Sequence, residues 1–419
     1  MSVNIASGVG EELKNTSLEA RDSDPDMDDF DFDRVIDRRG GDSLKWNKYA
    51  GRDVLPMWVA DMDFASPPAI VEALHARVGQ ACYGYPEPSP ALHAAVLGNL
   101  QREYGWQVEA DWLVWLPGLV CGLNIACRAV DGDVLTATPV YPPFLSAPHF
   151  SGRQLSSAAL RLQADGRWAW DFTALTAALQ PSSRLLLLCH PHNPVGRAWD
   201  ADELGAVAAF CKRHDLIVCS DEIHCGLILD TGRQHLPLAM LDADIARRSI
   251  TLMAPSKTYN IPGLGCSFAV IPDVALRRRF TGAMRGIVPH VNLLGLAATE
   301  VAYRDCEDWR RALIAVLRRN RDRVEAAVAA MPGLSVSHVE ATYLAWIDAR
   351  ALGQADPAAF FEAAGVGLSS GVDFGLPGWV RLNFGCPRPT LDAALERMAR
   401  ACAGGASRVD LREPIGTSH

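Results

Sequence analysis

From about Trp112 onward the chain sets short apolar runs against longer amphipathic ones. The runs DWLVWLPG, DVLTATP, RLLLLCHPHNPVG, DLIVCSDE, SITLMAPS and CSFAVIP have the length and composition of strands, and most close in turns rich in Gly, Pro or Asn. Between the third and fourth, WDADELGAVAAFCKRH has helical periodicity, with Asp200 placed as N-cap and Glu203 three residues on. Strand, helix, strand at this spacing predicts right-handed crossovers and an α/β fold on a mainly parallel, doubly wound sheet.

After about residue 300 the grammar changes. A long charged helix over 307–330 precedes the candidate strands LSVSHV and YLAWID, a helix near 356–364, the strand WVRLNFG and a last helix near 390–403. This predicts a smaller α+β domain over 301–404, completed by an N-terminal segment over 30–60, beside a large domain over 61–300. Residues 1–29, polar and ending in DSDPDMDD, are expected to form a disordered acidic tail, and 405–419 a flexible one.

Composition narrows the classes. With 419 residues, 49% hydrophobic and 21% charged, the chain can bury sizeable cores in two domains. A net charge of -9 and the lack of a basic stripe argue against a nucleic-acid partner. No signal-peptide pattern opens the sequence and no apolar run reaches membrane-spanning length, so a cytoplasmic protein with no membrane partner is expected. The 11 cysteines lie in apolar segments without zinc-ligand spacing, which suits buried free thiols and no metal.

In open α/β sheets ligands bind beyond the carboxyl ends of the strands, so the residues delivered there matter most. The first run ends at Gly118-Leu119-Val120, whose free amides at a helix start suit an anion such as a phosphate. The second delivers Tyr141, and the third Asn193 in HPHNPVG. The fourth closes an apolar strand with Asp221, Glu222 and His224, which need a partner or a cation there. The fifth reaches Lys257, the only cationic side chain between Arg248 and Arg277. Each has an ordinary reading alone: a surface-loop lysine, a packed tyrosine, an Asn-Pro turn. Together they suit an aldehyde cofactor with a phosphate and a basic ring nitrogen.

On these residues the sequence resembles the fold type I pyridoxal-phosphate enzymes, the aminotransferase class I/II superfamily, and within it the MalY/PatB-type cystathionine beta-lyase branch of carbon–sulfur lyases. The carriers, over about residues 30–404, are PMWVADMDF, YGYPEP, TPVYPPF, HPHNPVG, SDEIH, PSKTYNIPGL and VRLNFGCPR, in the family's order. The resemblance implies pyridoxal 5'-phosphate as cofactor and a catalytic group of Lys257, Asp221 and Tyr141. Lys257 would hold the cofactor aldehyde and then remove the alpha proton. Asp221 would pair with the ring nitrogen, Asn193 would bond the phenolic oxygen with His224 nearby, and Tyr141 would stack on the ring. Gly118, Leu119 and Val120 would cradle the phosphate, with Ser256 as a candidate hydroxyl ligand. Arg381 would grip the substrate carboxylate, while Trp58 and Asp61 would border the substrate pocket. Tyr85 would reach the neighbouring subunit's cofactor, which implies a homodimer.

The chain departs from the broader aminotransferase pattern at Ala254, where a hydroxyl is usual, and at Gly265, where an arginine for the phosphate is usual. The resemblance implies beta elimination of a thiol from cystathionine, cysteine or a cysteine S-conjugate, giving pyruvate and ammonia. Amino transfer to a keto acid, or a regulatory binding role with residual activity, stays open, because no named side chain forces elimination.

Overall fold

The computed structural model describes residues 30–406, so both expected tails, but for the backbone of 405 and 406, lie outside the described residues. The seven strands of the main sheet are β1 (Leu113–Leu116), β2 (Asp133–Thr138), β3 (Leu155–Ala159), β4 (Ser183–Cys189), β5 (Ile217–Asp221), β6 (Ser249–Met253) and β7 (Ser267–Val270). Their order is β1-β7-β6-β5-β4-β2-β3. All pairings are parallel except those of β7, which runs antiparallel to β1 and β6. Because β7 is reversed, its start lies at the edge where the other strands end, with Ser267 opposite Leu116.

Both faces of this sheet are covered, which is why its strands read as continuous apolar runs rather than alternating ones. In β4, Leu185, Leu187 and Cys189 pack toward Leu123 and Ala126 of α1 (Leu119–Ala129). Leu186 and Leu188 turn the other way, onto Leu204 and Val207 of α2 (Ala201–Arg213). Each such leucine contributes about 1.5–3 kcal/mol by leaving water. The start of α2 is the expected capping box: Asp200 accepts from the Glu203 N–H and Glu203 from the Asp200 N–H, both at 3.0 Å. The strand β3 has no strong sequence signal, since LSSAA sits at the sheet edge and is mostly half-exposed.

The long helix α3 (Glu307–Ala329) leads into an antiparallel sheet of β8 (Ser335–Val336), β9 (Leu344–Asp348), β10 (Ser369–Ser370) and β11 (Trp379–Asn383), in the order β8-β9-β11-β10. Helix α4 (Arg388–Ala406) closes the described chain. Leu55 and Pro56 pair in parallel with Val366 and Gly367, which brings the following strap, residues 57–64, between this sheet and the large one.

His338 clips α3 to the loop after β5: its ring nitrogens stand 3.1 Å from Glu325 Oε2 and 2.9 Å from Asp230 Oδ1. The Glu325 bond and the nearby Asp230 raise its pKa from 6.5 to about 9. A pKa raised on folding gives stability that is fully present below about pH 6.5 and lost as pH rises through about 9. With the side chain 48% exposed, solvent screens much of it. His338→Gln therefore lowers the melting temperature modestly at pH 6, and the gap to wild type closes above about pH 9. An equal gap across the whole range would contradict this assignment.

Candidate functional site

The strand ends converge on one cavity lined by, among others, Gly118, Tyr141, Asn193, Asp221, Lys257 and Arg381. Asp221 closes β5, in register between Cys189 of β4 and Leu252 of β6. It is 3% exposed, and its carboxylate is held by one donor, the Ile223 N–H at 3.1 Å. Burial pushes its pKa up to about 7. A carboxylate so placed calls for a cationic partner, and a protonated heterocyclic nitrogen meets that need.

Lys257 lies half-buried beyond the end of β6, with Nζ 2.5 Å from the Ala60 carbonyl oxygen. Burial lowers its pKa to about 8; Asp61 and Asp221 pull it up and Arg381 pushes it down. At neutral pH on the order of a tenth of such an amine is unprotonated, enough for a nucleophile.

Arg381, on β11, is 4% exposed and has no carboxylate partner among the described residues. Its Nη1 donates to Asn193 Oδ1 at 2.9 Å, and its Nη2 to the Trp58 carbonyl at 2.7 Å and to Ser369 Oγ at 3.4 Å. Its Nε is buried without an acceptor, and burial drives its pKa down to about 10. A buried guanidinium in this state has the character of a receptor for an anion.

Asn193 gives its oxygen to Arg381, so its amide nitrogen is left for another acceptor. Its backbone oxygen accepts from the Tyr141 N–H at 3.1 Å, which sets the tyrosine at the cavity wall. His224 is buried with Nδ1 unpartnered, and burial keeps its imidazole neutral, far below its usual pKa. Gly118 precedes the 11-residue α1, whose first amides lack intrahelical acceptors and open on the cavity with Leu119 and Val120. Ser256 also lines it.

The missing arginine at Gly265 has a backbone cause. Gly265 has φ +56°, and a Cβ there would lie 2.9 Å from the Pro117 carbonyl oxygen. Among the described residues, Lys257 and Arg381 are the two cations of the lining, and the Gly118–Val120 stretch and Ser256 bring amides and a hydroxyl to it.

Three residues singled out in the sequence are not part of the cavity lining. Val59 and Ala60 line the cavity, whereas Trp58 and Asp61 on either side of them do not. The Trp58 indole donates to the Lys45 carbonyl at 3.1 Å, and Asp61 is paired with Arg38 at 2.8 Å. Tyr85 is 98% exposed and stands outside its own chain's cavity.

Sequence reasoning missed the side chains that hold the strap. Asn383 Nδ2 donates to the Val59 and Asp61 carbonyls, each at 2.7 Å, and Asn260 bonds Met62 and Phe64. Tyr343 donates to the Ala60 carbonyl at 2.9 Å. The one signal was their place in motifs: Asn383 beside Arg381 in VRLNFG and Asn260 just after Lys257.

The sequence profile of the family described as aminotransferase class I and II matches residues 52–398. The chain is 37% identical over 387 residues to cystathionine beta-lyase PatB of Bacillus subtilis (strain 168), covering 89% of this chain and all of the relative. A crystal structure of OvoB superposes with a TM-score of 0.87 at 50% identity, covering 89% of this chain and 99% of that one. The pyridoxal-phosphate-bound carbon–sulfur lyase of Staphylococcus hominis superposes with a TM-score of 0.83 at 28% identity, over 89% and 98% of the two chains.

Proposed function

The chain belongs to the aminotransferase class I and II family, and on that premise we infer that it is a pyridoxal 5'-phosphate-dependent carbon–sulfur β-lyase acting on a cysteine-type amino acid. The observation that carries the site is a single cavity holding a buried carboxylate without a cation, a buried guanidinium without a carboxylate, and an amine with its pKa brought to about 8. These are the complements of a ring nitrogen, an amino-acid carboxylate and an aldehyde. Bound there, pyridoxal phosphate supplies the aldehyde and an electron-accepting ring.

The chain's residues then divide the work. Asp221 would hold the ring nitrogen in its protonated form, and Asn193 and His224 would bond the polar edge of the ring. Tyr141 would pack on its face, while the amides of Gly118, Leu119 and Val120, with Ser256, would receive the phosphate. Arg381, a buried guanidinium lining the cavity, would take the substrate carboxylate. Lys257 would serve as the base that takes the alpha proton at Nζ. The carbon–sulfur bond then breaks with its electron pair on sulfur, and hydrolysis turns the remaining fragment into pyruvate and ammonia.

The curated relatives named cystathionine beta-lyase favour elimination over amino transfer. The test is incubation of the cofactor-loaded enzyme with L-cystathionine, L-cysteine or an S-substituted cysteine and no keto acid. Pyruvate and thiol in equal amounts over many turnovers are expected. No pyruvate, with amino transfer once a keto acid is added, would make the protein an aminotransferase instead.

The active form in this reading is a homodimer. Its support is Tyr85, exposed and outside its own cavity, as a residue serving the neighbouring subunit's site must be. A cytoplasmic setting is supported by the eleven free cysteines. Among the described residues no helix is long and apolar enough to cross a membrane.

A further inference from the structure

We propose that Tyr343 is a positioning residue for Lys257, acting through the carbonyl of Ala60. The two side chains donate to the same oxygen, Tyr343 from 2.9 Å and Lys257 from 2.5 Å, and so occupy both of its lone pairs. That oxygen is fixed in place. Asn383 holds the carbonyls on either side of it, and Asn260 accepts from the Met62 N–H at 2.9 Å. A lysine amine released from the cofactor therefore returns to an acceptor whose position Tyr343 helps to set.

The tyrosine is built in at a local penalty. Thr342, the residue before it, is buried with φ +76°, a left-handed conformation that a β-branched residue adopts only where its surroundings over-determine it. Those surroundings are the Thr342 N–H bond to the Leu227 carbonyl at 2.9 Å and the Ala341 N–H bond to the Gly196 carbonyl at 3.0 Å. Tyr343 is 1% exposed, and burial holds its phenol protonated, far above the usual range, so its O–H proton stays available for the Ala60 carbonyl. Its ring also meets His224 edge-on, with centroids 5.9 Å apart.

Sharing has a consequence for the amine. Two donors compete for the electron density of one carbonyl oxygen, so the tyrosine hydroxyl weakens the hold of Ala60 on the ammonium form and favours the neutral amine. The other charged and titratable groups facing Lys257 are Asp61 from the strap, Asp221 and His224 from the end of β5, and Arg381 from β11. None of them bonds the Ala60 oxygen.

The experiment uses full-length protein stripped of cofactor. Competitive labelling with acetic anhydride across pH, read on the Lys257 peptide by mass spectrometry, gives the titration of this amine directly. Tyr343→Phe is expected to move the profile up by about half a pH unit, a roughly threefold loss of neutral amine near pH 7. Tyr343→Met, which also lacks the hydroxyl, is expected to move it the same way and serves if the first variant folds poorly. In the loaded enzyme kcat falls while KM, set by Arg381, holds. Profiles that superimpose on wild type in the folded variants would overturn the proposal. The inference rests on the role given to Lys257, but the labelling needs neither cofactor nor substrate, so its failure is separable from a failure to form pyruvate.

Discussion

Lys257→Ala is expected to lower pyruvate release by on the order of ten-thousand-fold, because it removes the amine proposed both to hold the cofactor and to take the alpha proton. Burial has already prepared the lysine by bringing its pKa to about 8. Lys257→Arg keeps a cation at the site but cannot supply a neutral amine at any working pH, so it is expected to be as inactive as the alanine variant. Borohydride reduction of the loaded wild type followed by peptide mapping should place the cofactor on residue 257. In Lys257→Ala the cofactor should leave on denaturation after the same treatment. Reduction onto another lysine would remove this residue from the mechanism and leave the cavity without its nucleophile.

The second large effect concerns stability. Glu340 and Arg197 are both nearly dry and bonded at 2.9 Å. Glu340 also accepts from Arg167 at 3.1 Å and from the Ala198 N–H at 3.1 Å, and it faces Arg233 at 3.5 Å. Arg197 reaches on to Glu203, the capping residue of α2. Glu340→Ala strands a buried guanidinium short of one carboxylate, and removing one partner of such a pair costs about 3–5 kcal/mol. A fall of several degrees in the melting temperature is expected. Arg197→Met combined with Glu340→Ala should be less damaging than the sum of the two single changes, since the double variant leaves less unpaired charge. Strict additivity would mean that the pair is not energetically coupled. The loss should also reach the site, because Glu340 begins the segment that carries Thr342 and Tyr343 onto the strap.

Much of this was legible in the sequence for identifiable reasons. The six apolar runs from Trp112 onward are strands because both sheet faces are covered, and a run of four to seven apolar residues between helical stretches has few other fates. The capping box at Asp200 and Glu203 is a local device, and it forms as the spacing predicts. The site residues Asp221, Asn193, Tyr141 and Lys257 were visible because strand ends in a parallel sheet share one edge. The reversal of β7 was not visible, since CSFAVIP reads the same in either direction along the sheet. Nor was the close approach of Gly265, just before that strand, to the Pro117 carbonyl, where a Cβ would lie 2.9 Å from the oxygen.

The sequence by itself determined which chemical groups exist and, through period and turn chemistry, which of them arrive at the same sheet edge. Tertiary structure alone decided the electrostatic state of those groups and what they touch. Lys257 finds its acceptor 197 residues away, and Asn383 finds Val59 across 324. No side-chain identity marks Ala60 for this role, because every residue carries the same carbonyl and only the path of the strap presents that one to an amine and a phenol. Burial decides the rest. The same Asp, Lys and Arg side chains on a surface would keep their ordinary pKa values, whereas burial raises the first and lowers the other two, and among the described residues neither Asp221 nor Arg381 has an ion-pair partner at salt-bridge distance.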